Sequence, residues 1–171
     1  MARYTSPMFE NMPNLSVRLV QPEDEPYIFE LFASVRGEGL AEAGMTAEQR
    51  QQFLDFQYKA MHNTYADNYP EGIHNVILRK KKPIGRIYTN ETDTEIRILD
   101  VIIHPKKRNH GFGSEIMQAM IAECDRTNKI LRFYVWTNNA AGQRFYKRHG
   151  CEFIRDDGGY LLFEKQPTPT P

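Results

Sequence analysis

Asp100–Gly113, D-V-I-I-H-P-K-K-R-N-H-G-F-G, is the most informative segment of this chain. It predicts a β-branched strand that ends at Pro105, then a basic loop, then a helix that begins at two glycines flanking Phe112. Glycines let a backbone approach a ligand closely, and the first N–H groups of a helix have no intrahelical partner. Together with the helix dipole, these N–H groups favour a bound phosphate. The stretch therefore predicts a strand–loop–helix unit that holds an anionic ligand.

The same stretch differs from the better-known phosphate and catalytic motifs. A dinucleotide-binding G-x-G-x-x-G would need a third glycine where this sequence has Ile116, and a G-x-x-x-x-G-K-[S/T] loop is absent from the sequence. The sequence also lacks the H-E-x-x-H pattern of zinc proteases and the G-x-S-x-G pattern of α/β-hydrolases. Positive charge is added to the loop by Lys106, Lys107, Arg108 and His110.

Outside this stretch, hydrophobic periodicity predicts a mixed α/β fold in the order β-αα-βββ-α-β-α-ββ. Three strands at hairpin spacing form an antiparallel front half, and a strand–helix–strand crossover follows it. We expect strands over 16–20, 75–79, 84–89, 95–103, 130–136, 151–155 and 160–164, and helices over 22–35, 46–67, 111–128 and 139–149. The predicted organisation is an N-terminal arm over 1–14, one domain over 15–165, and a disordered Pro/Thr tail over 166–171.

Composition and charge narrow the class of protein. The chain has 171 residues with 40% hydrophobic and 26% charged residues, which is typical of one globular domain and excludes wholesale disorder. Lys and Arg number 22, as do Asp and Glu, so net charge does not favour nucleic acid or an anionic membrane as a partner. The two cysteines form no C-x-x-C pair, and no apolar run reaches a membrane-spanning length, so we expect a cytoplasmic protein without a metal ion.

Two segments carry a resemblance to a known family. Arg108–Gly113, R-N-H-G-F-G, resembles the R/Q-x-x-G-x-G/A signature of the GNAT superfamily of N-acetyltransferases. Asn139–Cys151, N-A-A-G-Q-R-F-Y-K-R-H-G-C, is similar to the family's second signature, in which N-x-A precedes an aromatic pair, a basic dipeptide and a glycine. Both segments occur in the family's order, on the strand–loop–helix–strand–helix arrangement predicted from the residues. The resemblance covers roughly residues 16–164.

The resemblance implies a mostly antiparallel, centrally splayed sheet with acetyl-coenzyme A in a V-shaped opening. The opening would lie between the strand that ends at Ile103 and the strand Ile130–Trp136. In such enzymes the acetyl group passes to a primary amine by direct attack in a ternary complex, with no acyl-enzyme. The implied acetyl-CoA contacts are Val101, Ile102, Ile103, Arg108, Asn109, His110, Gly111, Phe112, Gly113 and Asn139. Asn139 also suits an ordinary helix N-cap.

Tyr146 matches the family's tyrosine that supplies a proton or hydrogen bond to the departing thiolate. That role is general acid catalysis at the step in which the carbon–sulfur bond breaks. Spacing alone makes Tyr146 a core aromatic of an amphipathic helix, and the second signature around it favours the catalytic role. The presence of this tyrosine also favours an enzyme over the alternative function, a non-catalytic acyl-CoA-binding or regulatory module on the same fold.

The general base is where the sequence departs from a common family pattern. Several members have a glutamate on the fifth strand, and spacing from Asn139 puts Tyr134 at that position. Asp100 is the candidate base, because a carboxylate inside an apolar strand needs a partner or a purpose. A structural aspartate paired with an arginine is an equal alternative, and His104 or a water relay remain open.

The acceptor pocket of the family lies between the first two helices. Arg36 and Glu38, with Glu42, fall in that region and are the candidate acceptor contacts. Glu38 and Glu42 suit a cationic amine, although exposed helix-end charges are the more ordinary interpretation. No motif in the two helices specifies the acceptor, so small molecules and polypeptides both fit. Dimers are common in the family, so a homodimer is also compatible with the resemblance.

Overall fold

The computed structural model describes residues 7–168 of the chain. The order of its elements confirms the predicted β-αα-βββ-α-β-α-ββ arrangement. In chain order these are β1 (Ser16–Leu19), α1 (Glu25–Arg36), α2 (Ala47–Asn68), β2 (Ile73–Arg79), β3 (Lys82–Glu91), β4 (Glu95–Ile103), α3 (Phe112–Thr127), β5 (Ile130–Trp136), α4 (Ala140–Arg148), β6 (Glu152–Asp156) and β7 (Tyr160–Lys165). Short 3-10 turns cover Pro7–Phe9, Pro22–Asp24 and Pro105–Lys107.

The strands form one seven-stranded sheet in the order β1-β2-β3-β4-β5-β7-β6. Every neighbouring pair is antiparallel except β4 and β5, which are parallel. That parallel pairing extends only over Glu95–Ile98 of β4 and Ile130–Phe133 of β5. Beyond it the two strands separate, so the rest of β4 has no strand beside it on the β5 side. This split confirms the centrally splayed sheet.

The two faces of the sheet carry different helices. Because strand side chains alternate, Val76 and Ile77 of β2 point to opposite faces. Ile77 belongs to the main core with α3, and we call that side the α3 face; α4 packs on the same side through Tyr146. Val76 belongs to a smaller core with Ile28, Phe32, Leu54 and Tyr58 of α1 and α2, on the side we call the α1–α2 face.

A β-bulge at Leu99 interrupts β4 at the split. Tyr88 of β3 pairs with Asp100, whereas the next residue, Thr89, pairs with Ile98. Ile98 and Asp100 are two residues apart and would share a face in a regular strand. The extra residue instead leaves Ile98 on the α3 face and puts Asp100 on the α1–α2 face beside Tyr88. The bulge therefore places the Asp100 carboxylate on the side of the sheet covered by α1 and α2. The resemblance puts the acceptor pocket between these two helices.

The described part of the predicted N-terminal arm packs on the domain. Met8, Phe9 and Met12 are buried in the main core with α3. The Glu115 carboxylate accepts hydrogen bonds from the backbone N–H groups of Asn14 and Leu15, at 2.7 and 3.0 Å. Residues 1–6 of the predicted arm and 169–171 of the predicted tail lie outside the described residues.

Candidate active site

The loop between β4 and α3 has the backbone of an anion cradle. After the turn Pro105–Lys107, Asn109 and Gly111 adopt positive φ angles of 60° and 81°. Gly111 is the N-cap of α3, where its left-handed backbone excludes most side chains although the space around it is open. None of the backbone N–H groups from Asn109 to Ser114 has a hydrogen-bond partner within residues 7–168. These donors are therefore free for a ligand.

Cationic side chains border the cradle. Arg108 donates from Nε to the carbonyl of Ile103 at 3.1 Å, which ties the loop to the end of β4. His110 is stacked on Phe112, with ring centroids 5.8 Å apart, and the Arg79 guanidinium lies 4.8 Å from the Phe112 ring. Sequence reasoning missed Arg79, because its basic run with three lysines also suits a hydrophilic hairpin turn.

A cavity of about 130 Å³ continues from the cradle along the split. Its lining is mostly apolar: Ile87, Ile98, Val101, Ile103, Gly113, Ile116, Met117, Met120, Phe145 and Tyr146. A Cβ on Gly113 would lie 3.3 Å from the Phe145 ring, so this glycine lets α3 and α4 approach each other there. Val101 and Ile103 line the cavity, whereas Ile102 alternates to the α1–α2 face and offers the cavity only its backbone.

Tyr146 forms one wall of this cavity. Its ring packs against Phe133 and Phe145, at centroid distances of 4.4 and 5.2 Å. Its hydroxyl makes no hydrogen bond to any residue in the described part of the chain. Burial raises the pKa of Tyr146, and the negative charge of Asp100 raises it further. The phenol is therefore protonated at neutral pH and has a proton to donate.

Asn139 lies at the start of α4, at the far end of β5. Its Oδ1 accepts a hydrogen bond from the backbone N–H of Gly142 at 2.9 Å, so it caps the helix. The side-chain amide Nδ2 makes no hydrogen bond within residues 7–168. The capping role leaves this amide available to a ligand.

Asp100 is paired with an arginine that the sequence did not single out. Arg86 of β3 donates from Nη2 to Oδ2 of Asp100, and its side chain is 1% exposed. Arg86 Nε and Nη1 are buried without a hydrogen-bond partner in the described part of the chain. Oδ1 of Asp100 accepts no hydrogen bond there, and the Asp100 side chain is 23% exposed. Asp100 is therefore paired with an arginine, as in the structural alternative, and its Oδ1 is still able to accept a proton.

Aromatic and imidazole side chains surround that pair on the α1–α2 face. Tyr65 of α2 donates its hydroxyl proton to the carbonyl of Leu99, the bulge residue, at 2.9 Å. His74 stacks on Tyr88 at 4.9 Å. Burial lowers the pKa of His74 to about 3, aided by the positive charge of Arg86, so the imidazole is neutral at pH 7. The sequence feature that could have indicated this group of side chains was Arg86, a charged residue within the otherwise apolar strand segment I-G-R-I.

The other candidate base, His104, has both ring nitrogens engaged. Nδ1 accepts from the backbone N–H of Lys106 at 3.2 Å, and Nε2 lies 3.4 Å from Oε1 of Glu30 on α1. The ring follows directly after β4, one residue beyond Ile103. These contacts hold the imidazole in the turn that precedes the cradle.

Arg36 and Glu38 lie where α1 ends. Both side chains are exposed, and neither forms an ion pair with another residue of 7–168. Burial raises the pKa of Tyr65, and the positive charge of Arg36 opposes that effect. A larger cavity of about 590 Å³ is lined by residues 43–45 and by the N-terminal half of α2 up to Phe56. Its lining shares no residue with the cradle or the Tyr146 cavity.

Two further features concern membranes and metals. Within residues 7–168, no helix combines the length and the apolar character needed to cross a membrane. In the same residues, no three histidine, cysteine, aspartate or glutamate side chains are grouped as they would be around a metal ion.

Comparison with known proteins identifies the family of this arrangement. The family model described as "Acetyltransferase (GNAT) family" matches residues 41–151, which is more than half of the chain. The match contains α2, the bulged β4, the cradle, and α4 with Tyr146. No curated protein sequence is a significant match to the chain.

Solved structures share the fold at low sequence identity. PaiA N-acetyltransferase from Thermoplasma acidophilum, in complex with coenzyme A, matches with a TM-score of 0.65 at 17% identity, over 89% of this chain and 98% of that one. The ribosomal-protein-S18-alanine N-acetyltransferase from Escherichia coli matches with a TM-score of 0.63 at 14% identity, over 92% and 96%. FdhC, described as a nucleotide-linked sugar GNAT, matches with a TM-score of 0.60 at 15% identity, over 90% of this chain and 86% of that one.

Proposed function

The chain belongs to the GNAT family of acetyltransferases, and on that premise we propose that it transfers the acetyl group of acetyl-CoA to a primary amine. The observation that carries the proposal is one continuous path. It runs from the free N–H groups of Asn109–Ser114, along the unpaired edge of β4, to the hydroxyl of Tyr146. A diphosphate, a narrow chain and a leaving thiolate fit the three parts of that path in order.

The cradle binds the diphosphate of acetyl-CoA in this proposal. The free backbone N–H groups of Asn109–Gly113 and the dipole of α3 offset its negative charge, and the cationic side chains at the loop add to the attraction. The pantetheine arm then lies along the edge of β4 from Val101 to Ile103, in the cavity of about 130 Å³. The Thermoplasma acidophilum relative is a coenzyme A complex, which supports this choice of cosubstrate.

Chemistry takes place where β4 and β5 part. The amine nitrogen attacks the thioester carbonyl, a carbon–nitrogen bond forms, and the carbon–sulfur bond breaks. Tyr146 gives its phenolic proton to the departing sulfur, because burial and the Asp100 charge keep the phenol protonated until then. Acetyl-CoA and the amine are bound together in a ternary complex, because direct attack by the amine forms no acyl-enzyme.

Asp100 receives the proton that the amine loses. Its Oδ1 is open and on the α1–α2 face, while the nitrogens of His104 are both engaged in the turn before the cradle. The Arg86 guanidinium holds Oδ2 and fixes the orientation of the carboxylate. The acceptor enters from this face, bordered by Arg36 and Glu38. Structural relatives named for a protein alanine and for a nucleotide-linked sugar share the fold, so the fold alone does not select the acceptor.

Titration calorimetry with acetyl-CoA, together with thiol release in the presence of an amine panel, tests the proposal. We expect binding of acetyl-CoA without any amine, and thiol release only when an amine is added. Binding accompanied by a higher melting temperature, but with no thiol released by any amine, would instead identify a non-catalytic acyl-CoA-binding module. No binding at all would remove the enzymatic proposal.

A further inference from the structure

Three aromatic side chains stand exposed beside the split, where β5 and β7 border the open end. Arg97 of β4 lies on the α1–α2 face and pairs with Arg132 of β5, so Tyr134 and Trp136, two and four residues on, share that face. Trp136 pairs in turn with Tyr160 of β7. Tyr134, Trp136 and Tyr160 are 42%, 51% and 44% exposed. We call these three residues the aromatic wall.

The aromatic wall is anchored from behind. The Tyr134 hydroxyl donates to Oδ2 of Asp157 at 2.7 Å, and Arg155 Nε holds the same carboxylate at 2.8 Å. Val135, which lies between Tyr134 and Trp136 and points to the opposite face, is 3% exposed and belongs to the main core, so the sheet under the wall is well packed. The Trp136 indole N–H and the Tyr160 hydroxyl make no hydrogen bond within residues 7–168. Exposed rings on a firm base are typical of a binding surface rather than of a core.

The aromatic wall faces the reactive region across the split. Asp100 lies on the same face, and Tyr65 donates its hydroxyl proton to the β4 bulge next to it. Burial raises the pKa of Tyr65, and the negative charge of Asp100 raises it further, so Tyr65 and Asp100 belong to the same region. The charged groups nearby are already paired, as Arg86 with Asp100, Arg97 with Glu95, Arg132 with Glu164, and Arg155 with Asp157.

What remains open to an occupant is therefore aromatic and close to neutral. Among the described residues, an acceptor with several positive charges would find few unpaired carboxylates here, chiefly the exposed Glu38 and the open Oδ1 of Asp100. An anionic acceptor would find the exposed Arg36, because the unpartnered Nε and Nη1 of Arg86 are buried. A planar apolar group gains both burial and ring stacking on such a surface. The amine of the same molecule would then point into the split towards Asp100.

We propose that the acceptor is an arylalkylamine-like molecule, a primary amine on a short linker to a flat apolar ring that stacks on Trp136 and Tyr160. This rests on the proposed acetyl transfer and names its substrate class. Trp136 and Tyr160 bind the ring, and Tyr134 positions the surface through its bond to Asp157. Selectivity then comes from the ring and not from charge.

Acetylation kinetics with matched amines test the proposal. Phenethylamine and tryptamine carry the planar ring, 2-cyclohexylethylamine carries a non-planar ring of similar size, and ethylamine carries none. We expect kcat/KM for the aryl amines to exceed that for ethylamine by about tenfold or more, with the cyclohexyl amine between them. Trp136→Ala should remove most of this advantage through a higher KM for the aryl amines, so that their kcat/KM approaches that for ethylamine.

Phe153→Ala is the matched control variant. Phe153 is also an exposed aromatic on a strand, at 48%, but it packs against Phe163 on the α3 face. Its removal should leave the ranking of the amines unchanged, and melting temperatures should show that both variants are folded. A preference for spermidine or for a lysine peptide over the aryl amines would overturn the proposal, as would a Trp136→Ala variant that slows all amines equally. Either result requires thiol release, so it differs from failure of the acetyl-transfer proposal, in which no amine releases thiol.

Discussion

The two faces of the sheet are built from different kinds of interaction. On the α3 face, the ligand groups are backbone N–H donors of one short loop, and the neighbouring cavity is mostly apolar. On the α1–α2 face, a buried arginine, a carboxylate, two imidazoles and several tyrosines come from four separate elements. The first arrangement, made of main-chain donors, suits a cosubstrate shared by a whole family. The second is made of side chains, so its shape and charge change with each substitution.

This contrast indicates which face of the sheet determines acceptor specificity. A loop whose glycines and helix end form the site tolerates changes elsewhere, because its donors are main-chain atoms. Arg86 and its neighbours depend on one another, since a buried guanidinium with unpartnered nitrogens is stable only in that surrounding. We therefore expect variants on the α3 face to affect acetyl-CoA, and variants on the α1–α2 face to affect stability and the acceptor.

The strongest change that we expect is on the α3 face, at the hydroxyl of Tyr146. Tyr146→Phe keeps the ring contacts with Phe133 and Phe145 but removes the proton donor. We expect kcat to fall by about 100-fold or more, and acetyl-CoA affinity to stay within about twofold, because loss of a general acid acts on the transition state. Steady-state kinetics and calorimetry measure the two quantities. Undiminished turnover would contradict the assignment.

The next effect is on the α1–α2 face and concerns folding. Arg86→Met leaves the Asp100 carboxylate without its partner beside a buried, apolar side chain. We expect the free energy of unfolding to fall by about 3–5 kcal/mol, as for other broken buried ion pairs. Urea denaturation measures it, and the double variant Arg86→Met/Asp100→Asn should recover part of the loss.

Arg155→Met provides the exposed comparison for that measurement. Its ion pair with Asp157 is solvent-exposed, with the arginine side chain 57% accessible, so its loss should be worth less than about 1 kcal/mol. Equal destabilisation by the two variants would show that burial of Arg86 does not decide the energetics of this face.

A smaller effect tests the cradle with two matched glycines. Gly111 and Gly158 have φ angles of 81° and 76°, and an added Cβ would meet no atom within 4 Å at either. Gly111→Ala and Gly158→Ala should each cost about 1–2 kcal/mol of folding free energy from left-handed strain. Only Gly111→Ala should weaken acetyl-CoA binding, by about tenfold, because only Gly111 orients the free N–H donors. If calorimetry gives the same acetyl-CoA affinity for both variants, the cradle does not bind acetyl-CoA.

The smallest effect is the pH dependence of stability that His74 contributes. The pKa of His74 is lowered by burial to about 3, with Arg86 and His62 lowering it further and Asp24 opposing them. The unfolded chain therefore binds a proton below about pH 6.5 that the folded chain refuses, and stability falls as the pH drops. One such proton is worth about 1.4 kcal/mol per pH unit.

His74→Gln should remove about that slope between pH 6 and pH 5, above the range in which most carboxylates titrate. Denaturation midpoints of both proteins at the two pH values measure the difference. His62, whose pKa burial also lowers, should keep part of the slope in the variant. An unchanged slope would show that His74 is protonated as readily in the folded protein as in the unfolded chain.

Local patterns account for most of the fold and for the α3 face of the site. The β-branched run before Pro105 and the glycines around Phe112 are sufficient to predict β4, the cradle and α3, because backbone preferences act within a few residues. The apolar steps of Ile116, Met117 and Met120 likewise predict the buried stripe of α3. Tyr146 needed the second signature, since spacing alone does not distinguish it from a core residue.

The α1–α2 face could not be predicted in the same way. Arg86 and Asp100 meet only because β3 and β4 pair in a register that shifts at Leu99. Tyr65 reaches the bulge from a helix 34 residues away in sequence. Hydrophobic periodicity does not predict these two contacts, because each depends on how separate elements pack.

The order of the elements and the loop of free main-chain donors can be predicted from the amino-acid sequence alone, since both follow from local backbone chemistry. Which carboxylate, guanidinium and aromatic rings meet beside the split depends on how the separate elements pack in the folded chain. Side chains distant in the chain acquire common surroundings through strand register and helix packing, and neither is written in any one segment.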